Sequence, residues 1–179
     1  LHMDGSRLGN AAAHLSTSLA AITSDAGVDV LSLGGTKNGL LGAEAVLALN
    51  PRAVPGLKYL RKLNMQLGSK MRFASAQLSA LYEDGLWLRS ASHSNAMAAR
   101  LRAGIEALIS DGRGEGITLP FATQSNVVFP TLPAETKARA HAAFHFYDWP
   151  GDATLVRLMC SFDTTEADVD ALLAVIAGE

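Results

Sequence analysis

Two glycine-punctuated segments near the start of the chain constrain its fold more than any other feature. Leu1-His2-Met3-Asp4-Gly5-Ser6-Arg7 reads as the end of a strand, residues 1–4, with Gly5 opening a loop. Val28-Asp29-Val30-Leu31-Ser32-Leu33 is β-branched enough to be a second short strand, and it runs into Gly34-Gly35-Thr36-Lys37-Asn38-Gly39. Between them Leu8 to Ile22 is rich in Ala and Leu, which predicts a helix ended by Asp25-Ala26-Gly27. A helix between two strands brings both loops to one edge of a sheet. Asp4 and Lys37, thirty-three residues apart, are therefore expected together at that edge. A parallel α/β sheet cannot be completed from the residues that follow. The chain is thus expected to be the C-terminal half of a longer polypeptide.

Gly42 to Leu49 suits a strand returning antiparallel, closed by Asn50-Pro51. From Pro55 to Ile109 the pattern is helical almost throughout, with Leu57, Leu60 and Leu63 on one face, Leu78, Leu81 and Leu88 on another, and a break near Gly85. Ser90 to Ile109 reads as a long amphipathic helix whose core face would carry Ala96, Ala99, Leu101, Ile105 and Leu108. Asp111 to Gly116 holds three glycines in six residues and marks a loop. Beyond it, Ile117–Phe121, Asn126–Phe129 and Leu155–Ser161 are strand candidates. Asp163-Thr164-Thr165-Glu166 has the spacing of a capping box launching a last helix to about Ala177. The expected division is therefore residues 1–110, the end of a large α/β domain with its connecting helices, and residues 111–179, a small α+β domain.

Composition narrows the functional classes. Hydrophobic residues make up 49% and charged residues 18% of the 179, which suits a folded globule. A formal charge of −2 lacks the basic surplus of a nucleic-acid footprint. No apolar run approaches the roughly 18 to 20 residues of a membrane span, and the single Cys160 excludes an internal disulfide, so a reducing cytoplasm is the expected setting. His14, His93, His141 and His145 show no metal-ligand spacing, and no metal site is expected.

The chemistry rests on few side chains. Lys37 stands between small residues, where a backbone can approach a flat ring; the plainer reading is a surface lysine. Asp4 could cap the helix that follows it, or pair with a ring nitrogen. An amine and a carboxylate at one sheet edge suit pyridoxal phosphate, the lysine forming a Schiff base and the acid keeping the pyridine nitrogen protonated. Arg7, three residues after Asp4, could pair with it or reach cofactor or substrate oxygens. Arg157 interrupts the apolar run Thr154-Leu155-Val156-Arg157-Leu158-Met159-Cys160. Such an arginine is an edge residue or, half buried, wants a bidentate carboxylate of the kind an amino-acid substrate offers. Lys70, Arg72 and Arg61 form a basic group that reads as a solvated face or as a contact for a phosphate or a neighbouring subunit.

Leu1-His2-Met3-Asp4-Gly5-Ser6-Arg7, Gly35-Thr36-Lys37-Asn38-Gly39 with Ala43-Glu44-Ala45, and Ser69-Lys70-Met71-Arg72-Phe73 resemble the low-specificity L-threonine aldolases, nearest to their phenylserine aldolase branch. Leu86-Trp87-Leu88-Arg89, Val156-Arg157-Leu158 and Phe162-Asp163-Thr164-Thr165-Glu166 extend the resemblance over essentially the whole chain. It implies a fold-type I pyridoxal-phosphate enzyme, the end of its large domain followed by a small α+β domain. It implies Lys37 as the Schiff-base and catalytic lysine, Asp4 as the partner of the pyridine nitrogen, Arg7 beside the cofactor or substrate carboxylate, and Arg157 clamping that carboxylate. Lys70 and Arg72 would approach the cofactor phosphate of an adjacent subunit in a homodimer or homotetramer. The implied reaction cleaves a β-hydroxy-α-amino acid to glycine and an aldehyde. The alternatives are another β-eliminating lyase on the same scaffold and a catalytically incomplete fragment kept for subunit association.

Overall fold

In a computed structural model that describes residues 1–179, strands β1 (His2–Gly5) and β2 (Val30–Gly34) pair in parallel, with Asp4 opposite Ser32. Strand β3 (Glu44–Ala48) returns antiparallel on the other side of β2, with Gly34 opposite Glu44. The sheet order is β1-β2-β3, and the loops bearing Asp4 and Lys37 leave the same end of the parallel pair, as expected. Helix α1 (Leu8–Leu15) links β1 to β2 and is shorter than its composition predicts. Ser16 takes a left-handed conformation (φ 50°), and the Ser16 and Thr17 amides turn back onto the Ala13 and Ala12 carbonyls. The hydroxyl run Ser16-Thr17-Ser18 then competes for backbone bonds, Ser18 Oγ accepting from the Ala21 amide at 3.1 Å.

The long helical stretch is three helices: α2 (Leu57–Leu63), α3 (Arg72–Tyr82) and α4 (Leu86–Ser110). The break after α2 is set by Asn64, whose amide side chain donates to the Leu60 carbonyl, and by Met65 in a left-handed conformation (φ 57°). None of the α2 residues is buried. Its last residue, Leu63, is 79% exposed, and beyond it Met65 is 90% and Phe73 60% exposed. Between Glu44 and Glu83 the chain carries six Lys or Arg and no acid.

The chain forms two compact units, Leu1–Ala91 and Ser92–Glu179. The division falls inside α4 rather than in the glycine-rich loop after it. The reason is packing: Met97, Ala98, Leu101, Ile105 and Leu108 already belong to the core of the second unit. Leu101, Ile105 and Leu108 are buried as the helical periodicity predicts, whereas Ala96 and Ala99 face solvent. Alanine carries too little apolar area to fix a helix's orientation; the bulkier Met97 does.

The second unit places α4, α5 (Ala134–Ala143) and α6 (Glu166–Ala177) with a three-stranded antiparallel sheet, order β4-β6-β5, of β4 (Val127–Val128), β5 (Tyr147–Asp148) and β6 (Val156–Met159). Ile117–Phe121 contributes only an isolated bridge, Thr118 to Thr131. The capping box at α6 lies two residues beyond the expected one. Thr165 is the N-cap, Asp168 Oδ2 accepts from the Thr165 amide at 2.8 Å, and Thr165 Oγ1 accepts from the Asp168 amide at 3.1 Å. No helix is long and apolar enough to cross a membrane.

Several carboxylates in this unit are held below the ordinary value of 3.8. Lys137 and then His141 do this for Asp148, Arg100 for Asp170, Arg113 for Asp111, and the Thr165 amide and hydroxyl for Asp168. Each contributes stability that is fully present above the ordinary carboxylate pKa and is lost as pH falls through the depressed folded value. Thermal stability should therefore hold down to about pH 4 and fall steeply below it. Asp148→Asn should flatten that acid limb, and a melting-temperature series against pH that is identical for the two proteins would show Asp148 to be silent.

Candidate active site

The first unit converges its chemistry at the end of the β1–β2 pair, the edge where parallel sheets bind ligands. Asp4 Oδ1 accepts from the Ser6 amide at 2.9 Å and from the Ser6 hydroxyl at 2.6 Å. The turn is local, and Arg7 rather than Asp4 occupies the N-cap position of α1. These two bonds, with help from the nearby charges of Lys37 and His2, hold the Asp4 carboxyl below its ordinary value. Asp4 is therefore an anion at neutral pH, and the charge of Lys37 contributes less to this than the two Ser6 bonds.

Lys37 sits in a single 3-10 turn, Thr36–Asn38, immediately after β2. A set of side chains that no sequence motif announces fixes this turn. Glu44, the first residue of β3, accepts from the Gly35 amide through Oε2 (3.3 Å) and from the Thr36 amide through Oε1 (3.2 Å). The buried Asn38 side chain donates to the Gly34 carbonyl at 3.1 Å. Gln77 Oε1 accepts from the Leu41 amide at 2.9 Å. The Tyr82 hydroxyl reaches toward the Gly34 carbonyl, and burial with the Glu44 charge pushes its pKa up to about 12. Tyr82 thus stays a neutral donor throughout the physiological range. Gly39, at φ 105°, closes the turn in a conformation that β-carbon residues avoid. The clamp leaves the lysine side chain itself exposed.

These features suit pyridoxal phosphate: a carboxylate kept ionised beside an exposed amine, on a backbone held rigid by its neighbours. Arg7, half-buried at the start of α1, belongs to the same unit and follows Asp4 directly in the loop. Lys70 and Arg72 lie in the exposed basic segment around the start of α3, and Arg72 lies over the Phe73 ring, 4.9 Å from its centroid. Arg157 belongs to the second unit, in the middle of β6. It is half-buried, and its guanidinium contacts the Met159 sulfur at 3.5 Å rather than a carboxylate. Sequence reasoning singled out Asp4, Lys37 and Arg157 but gave no role to Glu44, Gln77 or Tyr82, which hold the turn. For Glu44 the available signal was an acid opening the strand directly after a glycine-rich turn.

The architecture is that of half of a fold-type I pyridoxal-phosphate enzyme. Threonine aldolase from Leishmania major superposes with a TM-score of 0.84 at 31% identity, over 98% of this chain and 50% of that one. Lysine aminotransferase from M. tuberculosis shares the fold at a TM-score of 0.56 and 20% identity, over 99% of this chain and 40% of that one. Residues 1–129 match the model of the β-eliminating lyase family, and the chain belongs to that family. Among curated proteins it is 42% identical to low-specificity L-threonine aldolases from a Pseudomonas species and from Pseudomonas aeruginosa. Those alignments cover 98% and 92% of this chain but 49% and 46% of the relatives. The chain therefore spans about half the length of the curated relatives it matches.

Gly34 is what lets the two loops meet. A Cβ there would lie 2.8 Å from Ser6 Cα and 3.2 Å from the Ser6 carbonyl oxygen, backbone atoms that cannot swing aside. Gly34→Ala should cost about 1–3 kcal/mol in urea unfolding, the usual scale of overpacking. An undiminished midpoint would mean that the β1 and β2 loops do not approach as described.

Proposed function

We propose that this chain is the C-terminal half of a pyridoxal-phosphate-dependent aldolase that cleaves β-hydroxy-α-amino acids of the threonine or phenylserine type to glycine and an aldehyde. The observation that carries the reading is the ionised Asp4 beside the exposed Lys37 at the end of β1 and β2. The resemblance of nearly the whole chain to threonine aldolases supports the choice of reaction. When bound, the cofactor supplies an electron-accepting ring that stabilises negative charge at the substrate's α-carbon. Asp4 keeps its charge at working pH and so favours a protonated ring nitrogen. Lys37 provides the amine that attaches the cofactor. Glu44 and Asn38 hold the turn so that this amine leaves the backbone in one direction. Arg157 takes the substrate carboxylate, which orients the bond to be broken, and Arg7 assists at the cofactor or carboxylate. The groups that hold the phosphate and remove the β-hydroxyl proton are assigned to chain outside these 179 residues, with Lys70 and Arg72 reaching the phosphate of an adjacent subunit.

Association follows from the surface of the first unit. The exposed apolar and basic segment from Leu57 to Phe73 is assigned to contacts between subunits of a homodimer or homotetramer. The buried, unpaired Cys160 suits a cytoplasmic setting. The family description makes an eliminating lyase the second reading.

In the full-length polypeptide, Lys37→Ala should remove the visible absorption of bound cofactor and lower turnover by at least about a thousandfold. Glycine and an aldehyde should appear from threonine or phenylserine; pyruvate and ammonia in their place would replace the aldolase reading with the eliminating one. Absence of both cofactor and turnover would leave only an association role. Leu63→Glu combined with Met65→Glu should lower the mass seen by light scattering, and an unchanged mass would remove this segment from the interface.

A further inference from the structure

The surroundings of Arg157 define more than a carboxylate site. Along β6, Val156 and Leu158 point into the core of the second unit, so Arg157 points to the opposite face of the sheet. Tyr147 of β5 is its direct partner across the ladder. On the other side, Val127 pairs with Met159 and Thr131 bridges to Leu155. That unbroken register sets Phe129 opposite Arg157. Trp149, whose amide donates to the Leu155 carbonyl at 2.9 Å, lies one row along. Its ring stands edge-on to Phe129 with centroids 5.0 Å apart, and Phe121 also stands edge-on to Phe129 at 6.1 Å. A guanidinium that no carboxylate of the chain satisfies is therefore flanked by aromatic side chains. Tyr147 (64%), Phe121 (54%) and Trp149 (43%) remain substantially exposed.

We propose that Phe129, Tyr147 and Trp149 are specificity-determining residues that, beside Arg157, favour amino-acid substrates whose β-carbon carries an aromatic ring. The proposal rests on the role given to Arg157 above. A carboxylate held in the guanidinium fork places the β-substituent a few bonds away. Directly opposed side chains on a sheet lie within about 5 Å of each other at Cβ, so a ring at that position meets Phe129 or Tyr147. Edge-to-face contact with these rings adds to simple burial. A methyl group at the same position is too small to reach them and gains little.

The test uses the full-length holoenzyme. Phe129→Ala and Trp149→Ala, made separately, should each lower the ratio of kcat/KM for phenylserine over threonine by at least about tenfold, the scale on which apolar pockets discriminate. A ratio that stays within about twofold while both values fall together would overturn the proposal and leave the rings a packing role. A second measurement does not depend on turnover. Calorimetric titration should show 3-phenylpropionate binding at least about tenfold more tightly than propionate, with the preference lost in Phe129→Ala and both ligands weakened in Arg157→Leu. Equal affinities for the two acids would also overturn it. Absence of glycine from both substrates would sink the aldolase reading alone, because the binding preference is still measured.

Discussion

The closeness of two backbones decides this structure. The end of β2 and the loop after β1 meet where Gly34 has no side chain to keep them apart, its position lying against Ser6. Ser6 in turn supplies both hydrogen bonds that hold Asp4 as an anion. One missing Cβ therefore links the strand pairing to the electrostatics of the site. With the loops further apart, the Lys37 charge would act on Asp4 through more solvent and count for less.

Around that contact the fold combines a rigid backbone with an exposed side chain. Backbone amides of the 3-10 turn are tied to Glu44, and the Gly34 carbonyl to Asn38, so the turn has little freedom to adjust. The Lys37 side chain stays exposed. Fixing a residue through its backbone keeps its amine exposed while removing much of the orientational entropy a loop residue would otherwise have. Placing Glu44 on β3 makes the clamp depend on the antiparallel return, which explains why a strand outside the βαβ unit matters to the site.

How much of this was legible in the sequence depended on the range of the forces involved. Local signals read well: the two strands, the antiparallel return, the buried Leu101, Ile105 and Leu108 stripe, and the last helix were all visible as periodicity and turn chemistry. Boundaries set by competition read poorly. Helix α1 stops at Ser16 because hydroxyls and a left-handed turn outbid a helical composition, and the capping box moves to Thr165 and Asp168 because Asp can do the work expected of Glu. Long-range clamps were invisible, since nothing in the spacing of Gln77 or Tyr82 says that a turn some forty residues earlier is their partner.

On strand β6 the core does not explain the arginine in the apolar run. Alternation gives every second residue to the core, so the strand's hydrophobicity is explained by Val156 and Leu158 and places no demand on Arg157. A lysine or threonine on the outer face would have served solubility at least as well. Arginine costs more to desolvate than it returns unless a planar anion meets its fork. Half-burial among aromatic rings raises that cost and, with a carboxylate in place, raises the return as well, because attraction strengthens where water is thinned. The neighbours that make Arg157 expensive on its own are the ones that would make it selective were an aromatic amino acid held there.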